Sequence, residues 1–246
     1  MEKSMETIKQ EKAAAIVTGA SSGIGLEISR TLHRLGYEVF GFGRDFAQNQ
    51  LWEEEGYHPI TCDLLHTESM CGHVRQIAAC NKVQVLVNNA GVGYYGLHEE
   101  LNPKKIQELV RTNLEVPMIL TQQLLRDLKK HAGYIINIAS VTANESNPHG
   151  CAYGATKAGL ASFTHSLFDE ARKYGVKVSA VYPDMTKTNL YRSADFREGD
   201  EPSSYLLPKE VAGAVEFILS QRDGAVAADL VLKPQIHRIK RVKNKT

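Results

Sequence analysis

The sequence predicts an α/β protein built on a doubly wound parallel sheet of about seven strands, with helices on both faces. Short runs of β-branched residues alternate with longer amphipathic stretches along the chain. The first run passes directly into a glycine-rich turn that precedes a helical stretch. The chain has 246 residues, 43% of them hydrophobic, which is enough for a large core. Neither a repeat nor a biased linker divides it, so we predict one domain over residues 1–246.

The predicted strands are short apolar runs bounded by polar or turn-forming residues. Residues 83–87 are apolar except for Gln84, and such a run is typical of a strand buried on both faces of a parallel sheet. In chain order, the predicted strands are residues 13–18, 38–42, 58–62, 83–87, 134–138, 176–181 and 229–232.

The stretches between these strands carry apolar residues at helical spacing. Pro103 predicts a helix start, because proline is tolerated at the first helical position. Pro117 predicts a kink in the same helix, because it has no N–H and its ring crowds the preceding turn. The predicted helices are residues 24–35, 68–79, 103–128, 152–174 and 209–221.

Composition excludes several classes of function. The net charge is +1, which gives no global field to attract nucleic acid or an acidic membrane. The cysteines have no zinc-ligand spacing, which favours free thiols and no metal site. Residues 1–12 lack an apolar signal core, and no apolar run approaches the roughly 20 residues that span a bilayer. We therefore expect a cytoplasmic protein, with 1–12 and the basic stretch 237–246 as frayed tails.

The turn after the first strand, T-G-A-S-S-G-I-G at residues 18–25, is a candidate phosphate site. Its glycines permit a tight turn, and backbone N–H groups at a helix N-terminus bind anions. The alternative is a glycine-rich turn without a ligand. The three irregular segments 91–100, 141–150 and 183–208 each follow a strand, and loops at the carboxyl ends of strands build the ligand crevice of such sheets.

Tyr153 and Lys157 lie four residues apart in a predicted helix, so their side chains share a face. A free tyrosine has a pKa of about 10, too high for a base at neutral pH. We expect the Lys157 ammonium to lower the pKa of Tyr153 and to make the phenol a usable proton donor and acceptor. Because such pairs also arise by chance, the surrounding motifs decide what this one means.

Several motifs together resemble those of the short-chain dehydrogenase/reductase family. They are T-G-x-x-x-G-I-G at 18–25, N-N-A-G at 88–91, Asn113, Ser140 and Tyr153-x-x-x-Lys157, in the family's order and spacing. The resemblance runs over about residues 13–232, and bacterial 3-oxoacyl-carrier-protein reductases have similar patterns. It implies a compact, single-domain Rossmann-type fold and an oxidoreductase that interconverts a carbonyl and a secondary alcohol.

The resemblance also implies catalytic roles. Tyr153 is the acid that protonates the substrate oxygen in reduction, or the base in the reverse direction. Lys157 lowers the pKa of this tyrosine and bonds the nicotinamide ribose. Ser140 hydrogen-bonds the reacting carbonyl, and Asn113 holds a water that connects the lysine to solvent. Without the family's order and spacing of motifs, Ser140 would be interpreted as a buried serine at a strand end. Asn113 would be interpreted as an asparagine inside a helix that makes a local hydrogen bond.

The resemblance further implies a nucleotide-binding set. Asp63 matches an acid that contacts adenine and Asn89 an asparagine near the adenine ribose, although Asp63 could equally cap the segment that follows it. The implied cofactor-binding residues are Gly19, Ser21, Ser22, Gly23, Ile24, Gly25, Arg44, Asp63, Leu64, Asn89, Ala90, Gly91, Tyr153, Lys157, Pro183, Thr186 and Thr188.

Residues at the end of the second strand favour NADP(H) over NAD(H). NAD-type members place an acid where this chain has Gly43, and Arg44 follows it. A carboxylate repels a 2′-phosphate, whereas a guanidinium binds one bidentately. We predict that Gly43 leaves space there and that Arg44 binds the phosphate; the alternative is a solvated Arg44 beside Asp45.

One position departs from the family pattern. After the sixth strand the family usually has Pro-Gly, but here Asp184 follows Pro183. Thr186 aligns with the position that binds the nicotinamide carboxamide. Aspartate tolerates unusual backbone angles, so we expect the turn to survive.

The substrate is less well defined by the sequence. Tyr94 and Tyr95 either wall its pocket or cover the sheet edge. The segment 189–207, which should form a lid, is rich in charge, so we expect a small or polar carbonyl or alcohol. The family resemblance also implies a homo-oligomer, a dimer or tetramer, paired through the two long helices. The competing hypothesis is a non-catalytic sensor that binds NADPH.

Overall fold

A computed structural model describes residues 12–47, 50–192 and 194–241. Over these residues the strands are β1 (Ala13–Thr18), β2 (Glu38–Gly43), β3 (Tyr57–Thr61), β4 (Lys82–Asn88), β5 (Tyr134–Ile138), β6 (Lys177–Pro183), β7 (Phe196–Glu198), β8 (Asp229–Leu232) and β9 (Ile239–Arg241). Seven of them form a parallel sheet in the order β3-β2-β1-β4-β5-β6-β8. The predicted doubly wound sheet is therefore confirmed.

Helices cover this sheet on both faces. They are α1 (Gly23–Arg34), α2 (Thr67–Cys80), α3 (Pro103–Val110), α4 (Val116–Lys130), α5 (Cys151–Ala171) and α6 (Pro208–Leu219). One layer contains α1 and α6, and the other contains α2, α4 and α5. None of the helices in the described ranges has the length and apolar character needed to cross a membrane.

Strand β1 illustrates why the sheet is buried on both sides. Its side chains alternate between the two faces, as strand geometry requires. Ala14 and Ile16 belong to the core cluster under α2 and α4, whereas Ala15 and Val17 belong to the cluster under α1 and α6. Because both faces are covered, the strand is apolar at every one of these positions rather than alternating with polar residues.

The sheet changes direction of winding at β1. This strand pairs with β2 on one side and with β4 on the other, and the helices that follow β1 and β4 (α1 and α4) lie on opposite faces of the sheet. Ligands bind outside the carboxyl ends of the strands at such a switch point. The loops after β1, β4, β5 and β6 meet at that edge.

The predicted helix 103–128 is not one continuous α-helix, and the kink at Pro117 stays a prediction. The helical stretch is instead interrupted just before the proline, by a π-helical turn at Arg111–Glu115. The Val116 N–H bonds the carbonyl of Arg111, five residues earlier, and Pro117 lies in the first turn of α4. A proline has no N–H for the preceding turn, and the wider π spacing absorbs that loss.

The expected frayed tail at 237–246 is wrong for residues 239–241. Strand β9 pairs antiparallel with β7 in a separate two-stranded sheet. Arg238 bonds Glu201 at 2.8 Å and Lys240 bonds Asp200 at 2.7 Å, so side chains reinforce this pairing. Residues 1–11 and 242–246 lie outside the described residues.

Candidate active site

A cleft of about 540 Å³ opens at the switch point between β1 and β4. It collects residues from the loops after β1 to β6, which are far apart in the sequence. The sequence-predicted residues that line it are Gly19, Ser21, Ser22, Gly23, Ile24, Arg44, Asp63, Leu64, Asn89, Ala90, Gly91, Ser140, Tyr153, Lys157, Pro183, Thr186 and Thr188. Gly25 and Asn113, which were also predicted, lie behind this lining and support it.

The glycine-rich turn is shaped by backbone geometry that side chains would block. Gly19 and Gly23 have positive φ angles of 66° and 57°. A Cβ atom on Gly25 would lie only 2.2 Å from the carbonyl oxygen of Gly19, so no side chain fits there. The turn thereby brings the N-terminus of α1 close to β1, at the wall of the cleft, where its N–H groups favour an anion.

Thr18 fastens the turn to the loop after β4. Its hydroxyl accepts hydrogen bonds from the backbone N–H groups of Asn89 and Ala90, both at 3.0 Å. The Asn89 side-chain amide in turn donates to the carbonyl of Thr18 at 2.8 Å. The two loops that form the centre of the cleft are therefore held together, and Thr18 adds a positioning residue to the predicted set.

Ser140 and Tyr153 meet at the end of the cleft beside β5. Tyr153 is 5% exposed, and the Ser140 hydroxyl is close enough to lower the pKa of its phenol. The Ser140 oxygen accepts from the Thr142 N–H at 3.3 Å and from the Thr142 hydroxyl at 3.0 Å. Because two donors occupy the lone pairs of Ser140, its own proton is directed to another acceptor, and the phenol oxygen is in reach.

Lys157 lies one helical turn beyond Tyr153, as predicted. It is 4% exposed, and its Nζ donates to the carbonyl of Ile138 at 2.7 Å. The Nζ atom lies 5.9 Å from the centroid of the Tyr153 ring. Both side chains therefore point into the same small volume.

The expected lowering of the pKa of Tyr153 is not what this environment gives. Burial raises the pKa of Tyr153 to about 12, and the hydrogen bond from Ser140 only partly opposes the rise. Burial also lowers the pKa of Lys157 to about 8. Desolvation disfavours the charged form of either group and outweighs their mutual attraction. At neutral pH this site holds a protonated phenol.

Asn113 lies in the π-helical turn and is fully buried. Its side chain accepts from the Val92 N–H at 2.9 Å and donates to the Val92 carbonyl at 3.0 Å. It also donates to the Thr156 hydroxyl at 3.2 Å. Asn113 thus links the loop after β4 to α5, and its predicted role in holding a water stays a prediction.

The end of β2 differs from the sequence-based expectation. A Cβ atom on Gly43 would lie 2.9 Å from the Phe46 ring and 2.9 Å from the Ser21 Cβ, so the predicted space at Gly43 is wrong. Arg44 is exposed and lines the cleft, while the Asp45 carboxylate accepts the Ala47 N–H at 2.8 Å. Within the described ranges, Arg44 makes no ion pair, which leaves its guanidinium available to a ligand.

Comparison with known proteins decides the family. Residues 13–198 match the family described as short chain dehydrogenase. The chain belongs to the short-chain dehydrogenase family. Like other members, it is an oxidoreductase built on a nucleotide-binding Rossmann-type sheet, and the predicted resemblance is confirmed.

Several relatives cover nearly the whole chain. The 3-oxoacyl-acyl-carrier-protein reductase FabG of Rickettsia bellii is 30% identical over 86% of this chain and 91% of its own length. A metagenomic short-chain oxidoreductase solved with NADP is 29% identical, with a TM-score of 0.77 over 92% of this chain and 98% of that one. The 3-ketoacyl-(acyl-carrier-protein) reductase of Brucella melitensis, solved with NADH, is 26% identical, with a TM-score of 0.79 and coverage of 92% and 98%.

Asp184, which departs from the family's Pro-Gly pattern, fits its turn without strain. Its φ angle is not positive, so glycine is not required there. The carboxylate accepts the Met185 N–H at 2.7 Å, and the Thr186 hydroxyl donates to the Asp184 carbonyl at 2.9 Å. These two hydrogen bonds order the segment between Asp184 and Thr188.

The open alternatives for Asp63 and Tyr94 also have structural answers. Asp63 lines the cleft and caps its own turn, accepting the Leu65 N–H at 3.0 Å. Tyr94 lines the cleft and donates to Glu108 at 2.6 Å. That hydrogen bond raises the pKa of Tyr94, and the charges of Arg192 and Arg44 oppose the rise. Tyr94 therefore belongs to the cleft rather than to the sheet edge.

Sequence analysis missed several cleft residues. They follow no family motif, and their participation depends on long-range packing. Glu108 was read only as part of a helix, and Tyr191 only as part of a charged lid. Neither had a spacing signal that could have identified it. The main additions are Glu108, Tyr191, Arg192, Leu65 and Thr112.

Proposed function

We propose that this protein interconverts a small carbonyl compound and a secondary alcohol with NADP(H), using Tyr153 as the acid and base. The observation that carries the proposal is the cluster of buried Ser140, Tyr153 and Lys157 side chains in a cleft that also contains the glycine-rich turn. A nucleotide stretched along such a cleft has its phosphates at a helix N-terminus and its far end at the proton donor.

Tyr153 is suited to donate the proton in reduction. With a pKa of about 12, its phenol is protonated at neutral pH. A nicotinamide held in this cleft would supply a hydride to the carbonyl carbon, and Tyr153 would give its proton to the carbonyl oxygen. The Ser140 hydroxyl donates to the same oxygen and stabilises the negative charge that develops on it.

Lys157 completes the site electrostatically. Its ammonium, protonated below about pH 8, lies on the same side of the sheet as the phenol. As Tyr153 loses its proton, the nearby positive charge stabilises the phenolate that forms.

The preference for NADP(H) within this proposal depends on Arg44. Related structures contain NADP in one case and NADH in another, so family membership leaves the choice open. The two cofactors differ in the 2′-phosphate. Arg44 offers an exposed guanidinium at the end of β2, and an anion there gains charge-assisted hydrogen bonds.

Arg44→Ala should weaken NADPH binding about tenfold or more and leave NADH binding nearly unchanged, because one charged hydrogen bond contributes roughly 1.5–3 kcal/mol. Fluorescence titration of both cofactors gives the dissociation constants. Arg30→Ala, which removes an exposed guanidinium on α1 that pairs with Glu27, is the matched control. Equal selectivity in wild type and Arg44→Ala would contradict the assignment.

The rate of reduction should fall as the pH rises above about 8, where Lys157 loses its proton. The pKa of Lys157 is lowered on folding, so the charged form that assists Tyr153 is present below this value and lost above it. The folded chain then binds fewer protons than the unfolded chain at alkaline pH, so this deprotonation raises stability. Initial rates across pH, with circular dichroism at each pH, check the profile. A reduction rate that stays constant above about pH 8 would contradict the role of Lys157.

The competing function is an NADPH sensor that turns nothing over. The intact Ser140, Tyr153 and Lys157 set favours an enzyme, since a sensor needs no proton donor. Nicotinamide absorbance in the presence of a panel of ketones and alcohols separates the two. Turnover supports the enzyme, whereas tight NADPH binding with no turnover across the panel supports the sensor.

The proposal includes a homo-oligomer, a dimer or tetramer. The faces of α4 and α5 remain the proposed contact surfaces. Val110 and Met118 are large exposed apolar side chains close to the start of α4, whereas Phe163 and Phe168 pack against the protein's own core. The exposed pair is therefore the better candidate for a contact between subunits.

A further inference from the structure

Three aromatic rings pack together next to Tyr153. The ring centroids of Tyr95 and Tyr191 are 5.8 Å apart, those of Tyr95 and Phe196 5.0 Å, and those of Tyr191 and Phe196 5.5 Å. Tyr95 also lies 5.6 Å from the Tyr153 ring. We call Tyr95, Tyr191 and Phe196 the aromatic wall. Of the three, Tyr191 faces the cleft, and the other two support it from behind.

The aromatic wall is fixed from two sides. On one side, the Gly96 N–H next to Tyr95 donates to the His149 carbonyl at 2.8 Å, which ties it to the loop before α5. On the other side, Phe196 begins β7, which pairs with β9 near the carboxyl end of the chain. The wall is thus held in place before any substrate binds, and a preformed surface loses little entropy on binding.

Part of the charge on the lid faces away from the wall, whereas Arg192 lines the cleft and the charge of Glu198 acts on Tyr191. Arg197, Asp200 and Glu201 are exposed, and Asp200 and Glu201 form ion pairs with Lys240 and Arg238. The charges of Asp200 and Glu201 therefore attach the lid to β9 and its preceding residue, and these two carboxylates do not support the expectation of a polar substrate. Burial raises the pKa of Tyr95 and of Tyr191, so the wall itself is uncharged at neutral pH.

We propose that the aromatic wall makes this site select carbonyl compounds that carry a flat aromatic or conjugated group next to the carbonyl. This inference rests on the proposed reduction at Tyr153. A carbonyl oxygen bonded to Tyr153 and Ser140 leaves its substituent within reach of Tyr191, and aromatic rings gain energy beyond their buried area from offset and edge contacts. A saturated ring of similar size lacks that gain and is thicker.

The test compares acetophenone with cyclohexyl methyl ketone, two methyl ketones whose six-membered rings are flat and conjugated with the carbonyl in the first and saturated in the second. The difference in intrinsic reactivity between them cancels when the ratio of their rates is compared between variants. We measure kcat/KM for both by NADPH oxidation in wild type, Tyr191→Leu, Tyr191→Phe and the control Tyr174→Leu. Tyr174 lies past the far end of α5, about 30 Å along the helix from Tyr153. We expect the acetophenone to cyclohexyl methyl ketone ratio to fall about 2- to 10-fold in Tyr191→Leu and to persist in Tyr191→Phe and Tyr174→Leu.

The outcomes separate this inference from the proposed function. If wild type is active and Tyr191→Leu has the same acetophenone to cyclohexyl methyl ketone ratio, the selectivity of the aromatic wall is overturned. The proposed reduction at Tyr153 is then unaffected. If the acetophenone to cyclohexyl methyl ketone ratio also falls in Tyr191→Phe, the aromatic wall is overturned, because the Tyr191 hydroxyl and not its ring would then cause the selectivity. If wild type reduces neither ketone, the panel of ketones and alcohols described above still decides the proposed function. Saturation-transfer NMR then decides the wall: acetophenone binding that persists in Tyr191→Leu overturns it, and binding lost only in that variant supports it.

Discussion

Replacing Tyr153 with phenylalanine is expected to lower kcat for carbonyl reduction by about 100- to 10,000-fold, the usual contribution of a positioned proton donor. The ring stays in place, so its contacts with Tyr95 at 5.6 Å and with the Lys157 Nζ at 5.9 Å are kept. Cofactor binding should therefore change little, because the variant loses one hydroxyl and no charge at neutral pH.

Steady-state rates and NADPH titration measure the two effects separately. Tyr182→Phe is the matched control, because it removes a hydroxyl from another buried tyrosine. The Tyr182 hydroxyl donates to the Asp229 carboxylate at a distance of 2.8 Å, and Tyr182 does not line the cleft. That control should keep its rate even if it loses stability. A Tyr153→Phe variant with a near-normal rate would show that another group donates the proton.

The fold was largely predictable because each strand signal is local. The β-branched runs of β1, β4 and β5 lie in the buried centre of the sheet, where apolar residues are required on both faces. The π-helical turn before Pro117 and the pairing of β7 with β9 were missed. Both depend on where a distant segment packs, and β9 is a short, charged strand that has no apolar pattern of its own.

The candidate site was predictable to the extent that its residues belong to motifs. Glycines at the turn after β1 and the Tyr153–Lys157 pair have fixed local spacing, and the sheet topology alone brings them to one cleft. Tyr191 joins that cleft only through tertiary packing. The pKa of Tyr153 was predicted in the wrong direction, because sequence spacing reports the neighbouring charge but not the burial of the phenol.

Lys157→Met is expected to have the second large effect, on cofactor affinity and rate together. Methionine keeps an unbranched side chain of similar length, so packing on α5 is retained while the charge and the hydrogen bond to the Ile138 carbonyl are lost. A lost charged hydrogen bond to a ligand costs roughly 1.5–3 kcal/mol, or about a 10- to 100-fold rise in Kd for NADPH. The rate should fall as well, because the phenolate that forms on Tyr153 loses its stabilising charge.

A structural role alone would give a different result, and the pH profile distinguishes the two. Lys157→Met has no proton to lose near pH 8, so the alkaline fall in rate that follows from the lowered pKa of Lys157 should vanish in the variant. Lys177→Met is the matched control, because Lys177 is also buried and pairs with Asp223, but it lies at the start of β6, at the opposite end of that strand from the cleft. The assignment of Lys157 fails if its variant is merely less stable, with the Kd for NADPH and the alkaline limb both unchanged.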